Sequence, residues 1–374
     1  MSAPRLDEAW LARHVWPRFS RVLARKELYL ANHSLGRPPD RAAEDLRAAT
    51  DAWYSDMDGA WKLWMQGREA FRSLTSKLVN AGKADCIVPK TNAGQGLRAV
   101  LNALPGKPRV LTTDAEFDSI DFILRVYRDK GRIELKSVPF DAFRFEPCDL
   151  VVISTVAFRT GKIFPSVKEI IEAAHRAKAL VLLDVYHHAG VLPLDLTALD
   201  ADFAVGGSYK YLRGGPGACW LYVHPRHHGL RTLDTGWFAK EDVFAYERPE
   251  PPRFAAGGDA WLESTPPVLT PFQALAGLEI TLELGVERIR EHNLEQKAFL
   301  KSLLPVQGEG EDHGAFVTLR NAKAKMLASE LGKKGVKTDA RGEYLRICPD
   351  YLNSREELKT AAAQVAELIE GERV

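Results

Sequence analysis

The sequence predicts an α/β fold in which a mostly parallel central sheet is flanked by helices and accompanied by a smaller α+β domain. Between residues 84 and 218, short apolar runs rich in β-branched residues alternate with amphipathic stretches. After residue 315, a separate set of strand-like and helical patterns follows. The 374 residues exceed the length at which single domains usually divide. We expect a large domain of residues 55–290 and a small domain of residues 1–54 plus 291–374.

The strands of the large domain are predicted from continuous apolar runs, because parallel strands that are covered on both faces lack polar alternation. Three such runs are Arg109–Thr113, Asp149–Ser154 and Leu180–Asp184. A helix is predicted over Ser166–Ala179, where apolar residues recur at helical spacing. Its apolar stripe consists of Val167, Ile170, Ile171 and Ala174.

The remaining elements are predicted in chain order. The segment Pro249–Pro267 is rich in proline and glycine and is expected to be an exposed loop. One helical pattern covers Pro271–Asn293 and a second covers Leu294–Leu304. In the tail we expect strands at Ala315–Leu319 and Tyr344–Ile347, and helices at Ala322–Lys333 and from Ser354 onward.

Composition restricts the class of partner and the compartment. Lys and Arg number 51 against 50 Asp and Glu, so the charge gives no field that would attract nucleic acid or an anionic membrane. No stretch approaches the roughly 20 apolar residues of a membrane span, and the N-terminus lacks the apolar core of a signal peptide. The four cysteines form no C-x-x-C pair. We therefore expect a cytoplasmic protein that binds a small molecule.

Two charged residues, Asp184 and Lys210, lie at positions in the predicted fold that suit catalysis. Asp184 ends an apolar strand, and the carboxyl ends of strands in open α/β sheets face the ligand crevice. A carboxylate there can pair with a pyridinium nitrogen. Lys210 follows the strand-like run 203–205 and precedes the glycine-rich turn 214–217. A lysine in such a site can lose its proton and form an imine with a carbonyl cofactor.

Other features are ambiguous when each is taken alone. An isolated Asp at a strand end is commonly a turn or helix cap, and an isolated Lys is commonly solvated. The pair His187-His188 does not predict a metal site, because adjacent side chains diverge and no further ligand completes a usual set. The loop 91–96, before an apolar helix at Leu97–Leu104, is either a glycine turn or a dianion site formed by backbone N–H groups. Arg346 lies on an apolar strand, where it needs an anionic partner.

Taken in order, these residues resemble a known family. The pattern Asp184-x-x-His187-x-x-Gly190, followed by Ser-Tyr-Lys-Tyr-Leu-x-Gly-Gly-Pro-Gly at 208–217, resembles the kynureninases. These are class V aminotransferase-superfamily enzymes with the fold-type I architecture of pyridoxal phosphate-dependent transferases. Further similar motifs lie at residues 29–36, 156–161, 236–238, 264–267, 338–341 and 345–346.

The resemblance implies a cofactor, pyridoxal 5'-phosphate, and a role for each matched residue. Lys210 would carry the cofactor as a Schiff base and move the substrate α-proton. Asp184 would pair with the pyridinium nitrogen, and His187 would support the ring and its oxygen. Tyr209 would hydrogen-bond the phosphate and assist acid–base steps. The remaining cofactor contacts would come from Phe117, which stacks on the ring, and from Ala93, Gly94 and Gln95 at the phosphate.

The resemblance also implies a substrate site and an assembly. Arg346 would bind the substrate α-carboxylate, near His33 and Ser34 of the N-terminal motif. Trp237 and Thr265 would reach the cofactor phosphate of a neighbouring subunit, which implies a homodimer with active sites at the interface. The implied reaction is hydrolysis of the Cβ–Cγ bond of L-kynurenine, or a related amino acid, to L-alanine and an anthranilate, a step of tryptophan catabolism.

Departures from the family leave alternatives open. His33 replaces an Asn of the family, and Thr155, Ala157 and Phe158 replace His, Asn and Tyr. The segment Trp53–Trp64 does not resemble the one that shapes the family's aryl pocket. A divergent class V aminotransferase, or a C-S or C-N lyase acting on another amino acid, is the first alternative. A non-catalytic ligand sensor with the same fold is the second; its retention of Lys210, Asp184 and Arg346 would be unexplained.

Overall fold

The computed structural model describes residues 5–371, in which α-helices and β-strands are numbered in chain order. The helices are α1 Glu8–His14, α2 Ser20–Leu23, α3 Arg41–Ser55, α4 Ala60–Leu78, α5 Ala93–Leu101, α6 Asp118–Asp129, α7 Val167–Arg176, α8 Leu196–Leu199, α9 Thr270–Leu284, α10 Val286–Leu303, α11 Ala324–Lys333 and α12 Arg355–Gly371. The strands are β1 Leu28–Tyr29, β2 Ile87–Lys90, β3 Arg109–Thr113, β4 Glu134–Val138, β5 Leu150–Ser154, β6 Leu180–Asp184, β7 Phe203–Gly207, β8 Cys219–Val223, β9 Val317–Arg320, β10 Val336–Lys337, β11 Asp339–Arg341 and β12 Tyr344–Ile347.

The central sheet has seven strands in the order β2-β8-β7-β6-β5-β3-β4. Strands β7, β6, β5, β3 and β4 run parallel, whereas β8 is antiparallel to both β2 and β7. The prediction of an α/β fold with a mostly parallel sheet flanked by helices is confirmed. The strand order changes direction at β3, which pairs with both β4 and β5. Because β5, β6 and β7 run parallel, the loops that follow them lie at one edge of the sheet.

The three apolar runs form strands because both faces of the sheet are covered. Successive residues alternate between two hydrophobic clusters, as the two-residue period of a strand requires. Val151, Ile153 and Leu183 face one cluster, while Val152 and Leu182 face the other. The five positions of β5 are all buried. This double coverage fixes the sheet register and thereby the positions of the strand ends that form the site.

A smaller sheet is built from β9, β12 and β11 in antiparallel pairing, and β1 pairs with β10 in parallel. Leu30, Leu319, Leu345 and Leu358 share one apolar cluster with α10, α11 and α12. The N-terminal strand is thereby attached to the C-terminal part of the chain. The division into residues 55–290 and residues 1–54 plus 291–374 stays a prediction.

Three segments show the largest departures from the prediction. The helical pattern Pro271–Asn293 is interrupted at Gly285, whose φ of +81° favours glycine, so α9 ends at Leu284 and α10 begins at Val286. The segment Pro249–Pro267 is not all exposed: a 3-10 turn, Gly257–Trp261, buries Trp261 against Phe203. The helix predicted from Leu97 begins at Ala93, because the Asn92 side chain caps it.

Within residues 5–371, no helix combines the length and the apolar character needed to cross a membrane.

Candidate active site

The predicted lysine and aspartate lie together at the carboxyl edge of the central sheet. Asp184 is the last residue of β6, and Lys210 follows the end of the neighbouring strand β7. Both are about 5% exposed and line a cavity of about 200 Å³. Predicted site residues that also line this cavity are Ala93, Phe117, His187 and Tyr209. The structure therefore brings six of the predicted residues into one site.

The amine of Lys210 lies in a polar but desolvated environment. Its Nζ is 2.8 Å from His187 Nε2, and His187 Nδ1 is 3.3 Å from the Tyr211 hydroxyl. Burial lowers the pKa of Lys210 to about 7, although the negative charge of Asp184 opposes the shift. Burial, together with the charge of Lys210, holds the pKa of His187 well below its ordinary value. A neutral, nucleophilic amine is therefore accessible near pH 7.

This lowered pKa predicts how fast Lys210 reacts with a carbonyl. In cofactor-free protein, the rate of covalent attachment of added pyridoxal phosphate should rise through pH 6–7 and level off above about pH 8, since the neutral amine is the nucleophile. Stopped-flow absorbance measures this rate. Nα-acetyl-lysine, with an amine of ordinary pKa near 10.4, is the reference and should keep accelerating above pH 8. A protein rate that still rises tenfold per pH unit above pH 8 would contradict the lowered pKa.

Asp184 is held as a buried carboxyl that points into the cavity. Its Oδ1 accepts the backbone N–H of Tyr186 at 3.0 Å. Burial raises the pKa of Asp184, while the hydrogen bond from Tyr186 and the charge of Lys210 act in the opposite direction. A cationic heterocyclic nitrogen in the cavity would therefore be a favourable partner for this carboxylate.

The N-terminal end of α5 lies at one end of the cavity. Asn92 Oδ1 accepts the N–H of Gln95 at 2.9 Å, which caps the helix, and Asn92 and Ala93 line the cavity. Gln95 Oε1 instead accepts the N–H of Thr91 at 2.8 Å. A Cβ on Gly94 would lie 2.7 Å from Ile123, so this glycine permits close packing of α5 on α6. Free N–H groups at a helix N-terminus suit a phosphate.

Aromatic rings form the walls of the cavity. The Nζ of Lys210 lies 5.5 Å from the ring centroids of both Phe117 and Tyr186. Phe117 also packs edge-to-face on Phe158 at 5.5 Å. An amine, a buried carboxylate, a helix N-terminus and aromatic faces thus meet in one cavity. These groups fit the aldehyde, ring nitrogen, phosphate and ring faces of pyridoxal phosphate.

Four predicted cofactor residues, Gly94, Gln95, Trp237 and Thr265, do not line the Lys210 cavity of this chain. Trp237 Nε1 donates to Thr265 Oγ1 at 3.0 Å. Thr265 and Gln95 line a neighbouring cavity of about 250 Å³, which shares Thr91, Gly217 and Cys219 with the Lys210 cavity. Thr265 therefore lies near the N-terminal end of α5 but not beside Lys210.

Arg346 has an anionic partner within the chain, Asp339, which was not among the residues predicted from the sequence. The side chain is 2% exposed, and its guanidinium contacts Asp339 through Nε at 2.7 Å and Nη2 at 2.5 Å. His33 Nε2 and Ser34 Oγ also bind the Asp339 carboxylate. The anion expected to pair with Arg346 is thus at least partly supplied by the chain itself.

Asp339, Tyr186 and Glu116 were not predicted as site residues. Asp339 could have been found from the two-residue turn Gly342-Glu343, because a hairpin there places residue 339 opposite residue 346. Glu116 precedes Phe117 and binds the hydroxyl and N–H of Ser154, which pairs with Asp184 across the sheet. Burial raises the pKa of Glu116 to about 7. No signal in a single sequence distinguishes Glu116 from a helix-flanking surface acid.

The segment Trp53–Trp64, which departs from the kynureninase pattern, does not reach the Lys210 cavity. Trp64 packs edge-to-face on Trp53 at 6.0 Å and on Trp61 at 5.5 Å, and it lines the neighbouring cavity. Trp61 contacts Phe238 and Phe244. In this chain the segment forms an aromatic cluster beside the site.

The sheet, the lysine and its buried aspartate define a fold-type I, pyridoxal phosphate-dependent enzyme. Solved structures of other proteins share this fold. A C-DES mutant with glycine covalently linked to its PLP cofactor superposes with a TM-score of 0.85 at 20% identity, covering 94% of this chain and 98% of that one. A cysteine desulfurase from Thermococcus onnurineus gives a TM-score of 0.79 at 18% identity and covers 99% and 100%.

The chain belongs to the aminotransferase class-V family, whose model matches residues 52–310. An uncharacterized aminotransferase, YcbU, of Bacillus subtilis is 28% identical over 325 residues, covering 82% of this chain and 85% of the relative. A kynureninase of Salinispora tropica is 28% identical and covers 87% and 86%, and one of Geobacillus thermodenitrificans is 27% identical and covers 93% and 89%. The predicted resemblance to kynureninases, the fold class and the cofactor are confirmed.

Proposed function

We propose that this protein is a hydrolase of the kynureninase type, which cleaves the Cβ–Cγ bond of L-kynurenine or a related amino acid to give L-alanine and an anthranilate. The observation that carries the proposal is the grouping of Asp184, His187 and Lys210 in one cavity with Arg346 near its edge. Relatives named kynureninase, 27–28% identical over most of the chain, support the reaction type.

Bound pyridoxal phosphate supplies an electron sink for the negative charge left when a bond to the amino acid Cα breaks. In our proposal, Asp184 pairs with its ring nitrogen, and the start of α5, at Ala93, Gly94 and Gln95, holds its phosphate. Phe117 and Tyr186 enclose the ring faces.

The proton transfers are assigned to Lys210 and Tyr209. Lys210 holds the cofactor and moves the substrate α-proton, a task that suits an amine of pKa about 7. Burial raises the pKa of Tyr209 above its ordinary value, so its hydroxyl stays protonated and available as a donor. Tyr209, or a water beside it, would deliver protons as the Cβ–Cγ bond breaks.

The proposed assembly is a homodimer with active sites at the subunit interface. Thr265 and Trp237 are hydrogen-bonded to each other and lie beside the cavity that adjoins the N-terminal end of α5. Exposed aromatic residues nearby, Phe244 and Tyr246, offer apolar surface for a second copy. In such a dimer, Trp237 and Thr265 of one subunit would reach the phosphate of the other.

The reaction is tested by mixing cofactor-loaded protein with L-kynurenine or 3-hydroxykynurenine at neutral pH. We expect anthranilate, or its hydroxy analogue, to appear by fluorescence together with equimolar L-alanine. Catalysis should be lost in Lys210→Ala. A yellow, borohydride-reducible protein that forms neither product would contradict the proposed reaction but not the cofactor assignment.

One observation favours the second candidate, a divergent class V aminotransferase or a C-S or C-N lyase. Ala157 and Phe158, which stand where kynureninases have polar residues, are buried at 3% and 4% exposure. Phe158 lines the Lys210 cavity, so the cavity wall has no hydroxyl at this position to donate to an aryl ketone. Formation of a keto acid, pyruvate or sulfide from an amino acid other than kynurenine would establish this alternative.

A further inference from the structure

A short hairpin places a carboxylate against the arginine assigned to the substrate. Strands β11 and β12 pair antiparallel, with Asp339 directly opposite Arg346. Side chains at opposed positions of such a pair share one face of the sheet. The Asp339 carboxylate lies along one edge of the guanidinium, with Oδ1 2.7 Å from Nε and Oδ2 2.5 Å from Nη2. This is the bidentate geometry that fixes both position and orientation of an arginine.

The other edge of the guanidinium, which is formed by the two terminal nitrogens, can still bind a ligand. Arginine has five N–H donors in a planar fork. Nε and one N–H of Nη2 are taken by Asp339, and Nη1 donates to the Phe158 carbonyl oxygen. One N–H of Nη1 is left, and Nη2 also donates a long hydrogen bond of 3.3 Å to the Ser34 hydroxyl. A second carboxylate that displaces this long bond can therefore bind both terminal nitrogens while Asp339 stays in place.

This terminal edge is near the reacting centre. Phe158, whose carbonyl oxygen anchors Nη1, also lines the Lys210 cavity. The charge of Arg346 is close enough to contribute to the lowered pKa of Lys210. A carboxylate on the terminal N–H pair is thus compatible with an amino acid whose Cα faces Lys210.

His33 and Ser34 act on Asp339 rather than on the cavity. His33 is fully buried, stacks near Phe316 at 4.8 Å, and has Nε2 2.8 Å from Asp339 Oδ1. Burial and the charge of Arg346 lower the pKa of His33 to about 4, so the ring is neutral and donates its Nε2 proton to the carboxylate. Ser34 donates its hydroxyl to Oδ2. Neither residue lines the Lys210 cavity.

We propose that Asp339 is a positioning residue: it holds one edge of Arg346 so that the terminal N–H pair receives the substrate α-carboxylate, and His33 and Ser34 hold Asp339. The inference rests on the proposed role of Arg346. It changes the expected role of His33 and Ser34 from substrate contacts to supports of the Asp339 carboxylate.

The test compares two probes on the cofactor-loaded protein. L-alanine carries an α-carboxylate, whereas ethylamine lacks it, and binding of each is followed by the change in the visible absorption band. In Asp339→Asn the apparent Kd for L-alanine should rise by about 10²-fold, because a displaced Arg346 misplaces its ligand, while the Kd for ethylamine should change little. Glu343→Gln, an exposed acid on the same hairpin, is the matched control and should bind both probes as the parent does.

Arg346→Gln separates the inference from the proposed function. Loss of selectivity for L-alanine in both Arg346→Gln and Asp339→Asn supports the inference. Loss in Arg346→Gln alone overturns the inference and leaves the carboxylate site in place. Unchanged selectivity in Arg346→Gln overturns the assignment of Arg346 and the inference together.

A second pair of variants keeps the test decisive if Asp339→Asn does not fold. His33→Leu removes the donor to Asp339 and should weaken L-alanine binding several-fold without affecting ethylamine. His33→Asn retains an N–H donor and should recover most of that loss. Equal L-alanine binding by His33→Leu and the parent protein would overturn the inference.

Discussion

Replacing Lys210 by alanine is expected to abolish turnover, with kcat falling by at least about 10⁴-fold. The side chain supplies both the covalent link to the cofactor and the base that moves the α-proton, and proton transfer alone contributes about 10²–10⁴-fold. The visible band of the cofactor-loaded variant should no longer be trapped on the protein by borohydride. Steady-state kinetics and the reduced protein's absorbance measure the two effects.

Lys210→Arg is the matched control for charge. Arginine keeps a positive charge at this position but cannot offer a neutral amine, because its pKa exceeds 12. We expect Lys210→Arg to be as inactive as Lys210→Ala. Turnover within tenfold of the parent in either variant would show that another group carries the covalent and proton-transfer roles.

The second large effect is expected on stability, at Lys297 of α10. Its side chain is fully buried, and Nζ donates to the backbone carbonyls of Gly308, Gly310, His313 and Gly314 at 2.7–3.3 Å. Lys297→Met would leave the Gly308 carbonyl without a donor, whereas the carbonyls of His313 and Gly314 keep Arg290 and that of Gly310 keeps the His313 N–H. We expect the free energy of unfolding to fall by about 2 kcal/mol, measured by denaturant titration, since one unsatisfied buried group costs about 1–3 kcal/mol.

Lys301→Met, one turn further along α10, is the control for this substitution. Lys301 is 44% exposed on its side chain and contacts Val306 and Glu309 at the surface. We expect it to change the free energy of unfolding by less than about 1 kcal/mol. A Lys297→Met variant as stable as Lys301→Met would contradict a structural role for the buried ammonium.

The loop of residues 308–314, whose carbonyls Lys297 binds, also connects this substitution to the active site. Gly314 donates its N–H to the carbonyl of Gly161 at 2.7 Å, and Ile163 donates to the carbonyl of Asp312 at 2.8 Å. These bonds tie residues 308–314 to the segment 156–163, which carries Phe158 at the cavity wall. Weaker cofactor retention by Lys297→Met is therefore a consistent secondary result.

The parts of the fold that could be predicted from sequence are those determined by local pattern. The runs Arg109–Thr113, Leu180–Asp184 and Tyr344–Ile347 are strands with the predicted ends, because burial on both faces selects continuous apolar residues. The break at Gly285 was missed because the residues on both sides keep helical spacing. The burial of Trp261 depends on Phe203, 58 positions earlier, and no local pattern encodes that contact.

The candidate site also contains some residues that local pattern predicts and others that depend on contacts between distant residues. Asp184 and Lys210 could be predicted because Asp184 ends one apolar strand and Lys210 follows another, and parallel strands bring their carboxyl ends to one edge. Asp339 could be found from the sequence only through the turn Gly342-Glu343, whose register sets residue 339 opposite Arg346. Similarly, the hydrogen bonds that Ser154 donates to the Glu116 carboxylate join residues 38 positions apart.

The central claim, that Lys210 carries the cofactor, is tested most directly by reducing the yellow protein with borohydride and mapping the pyridoxyl-labelled peptide by mass spectrometry. Two other buried lysines with lowered pKa, Lys90 and Lys297, are internal competitors for the label. The account predicts a single label on Lys210, since Lys90 is paired with Glu263 and Lys297 with backbone carbonyls. A label on Lys90 or Lys297, or none on Lys210, would contradict it.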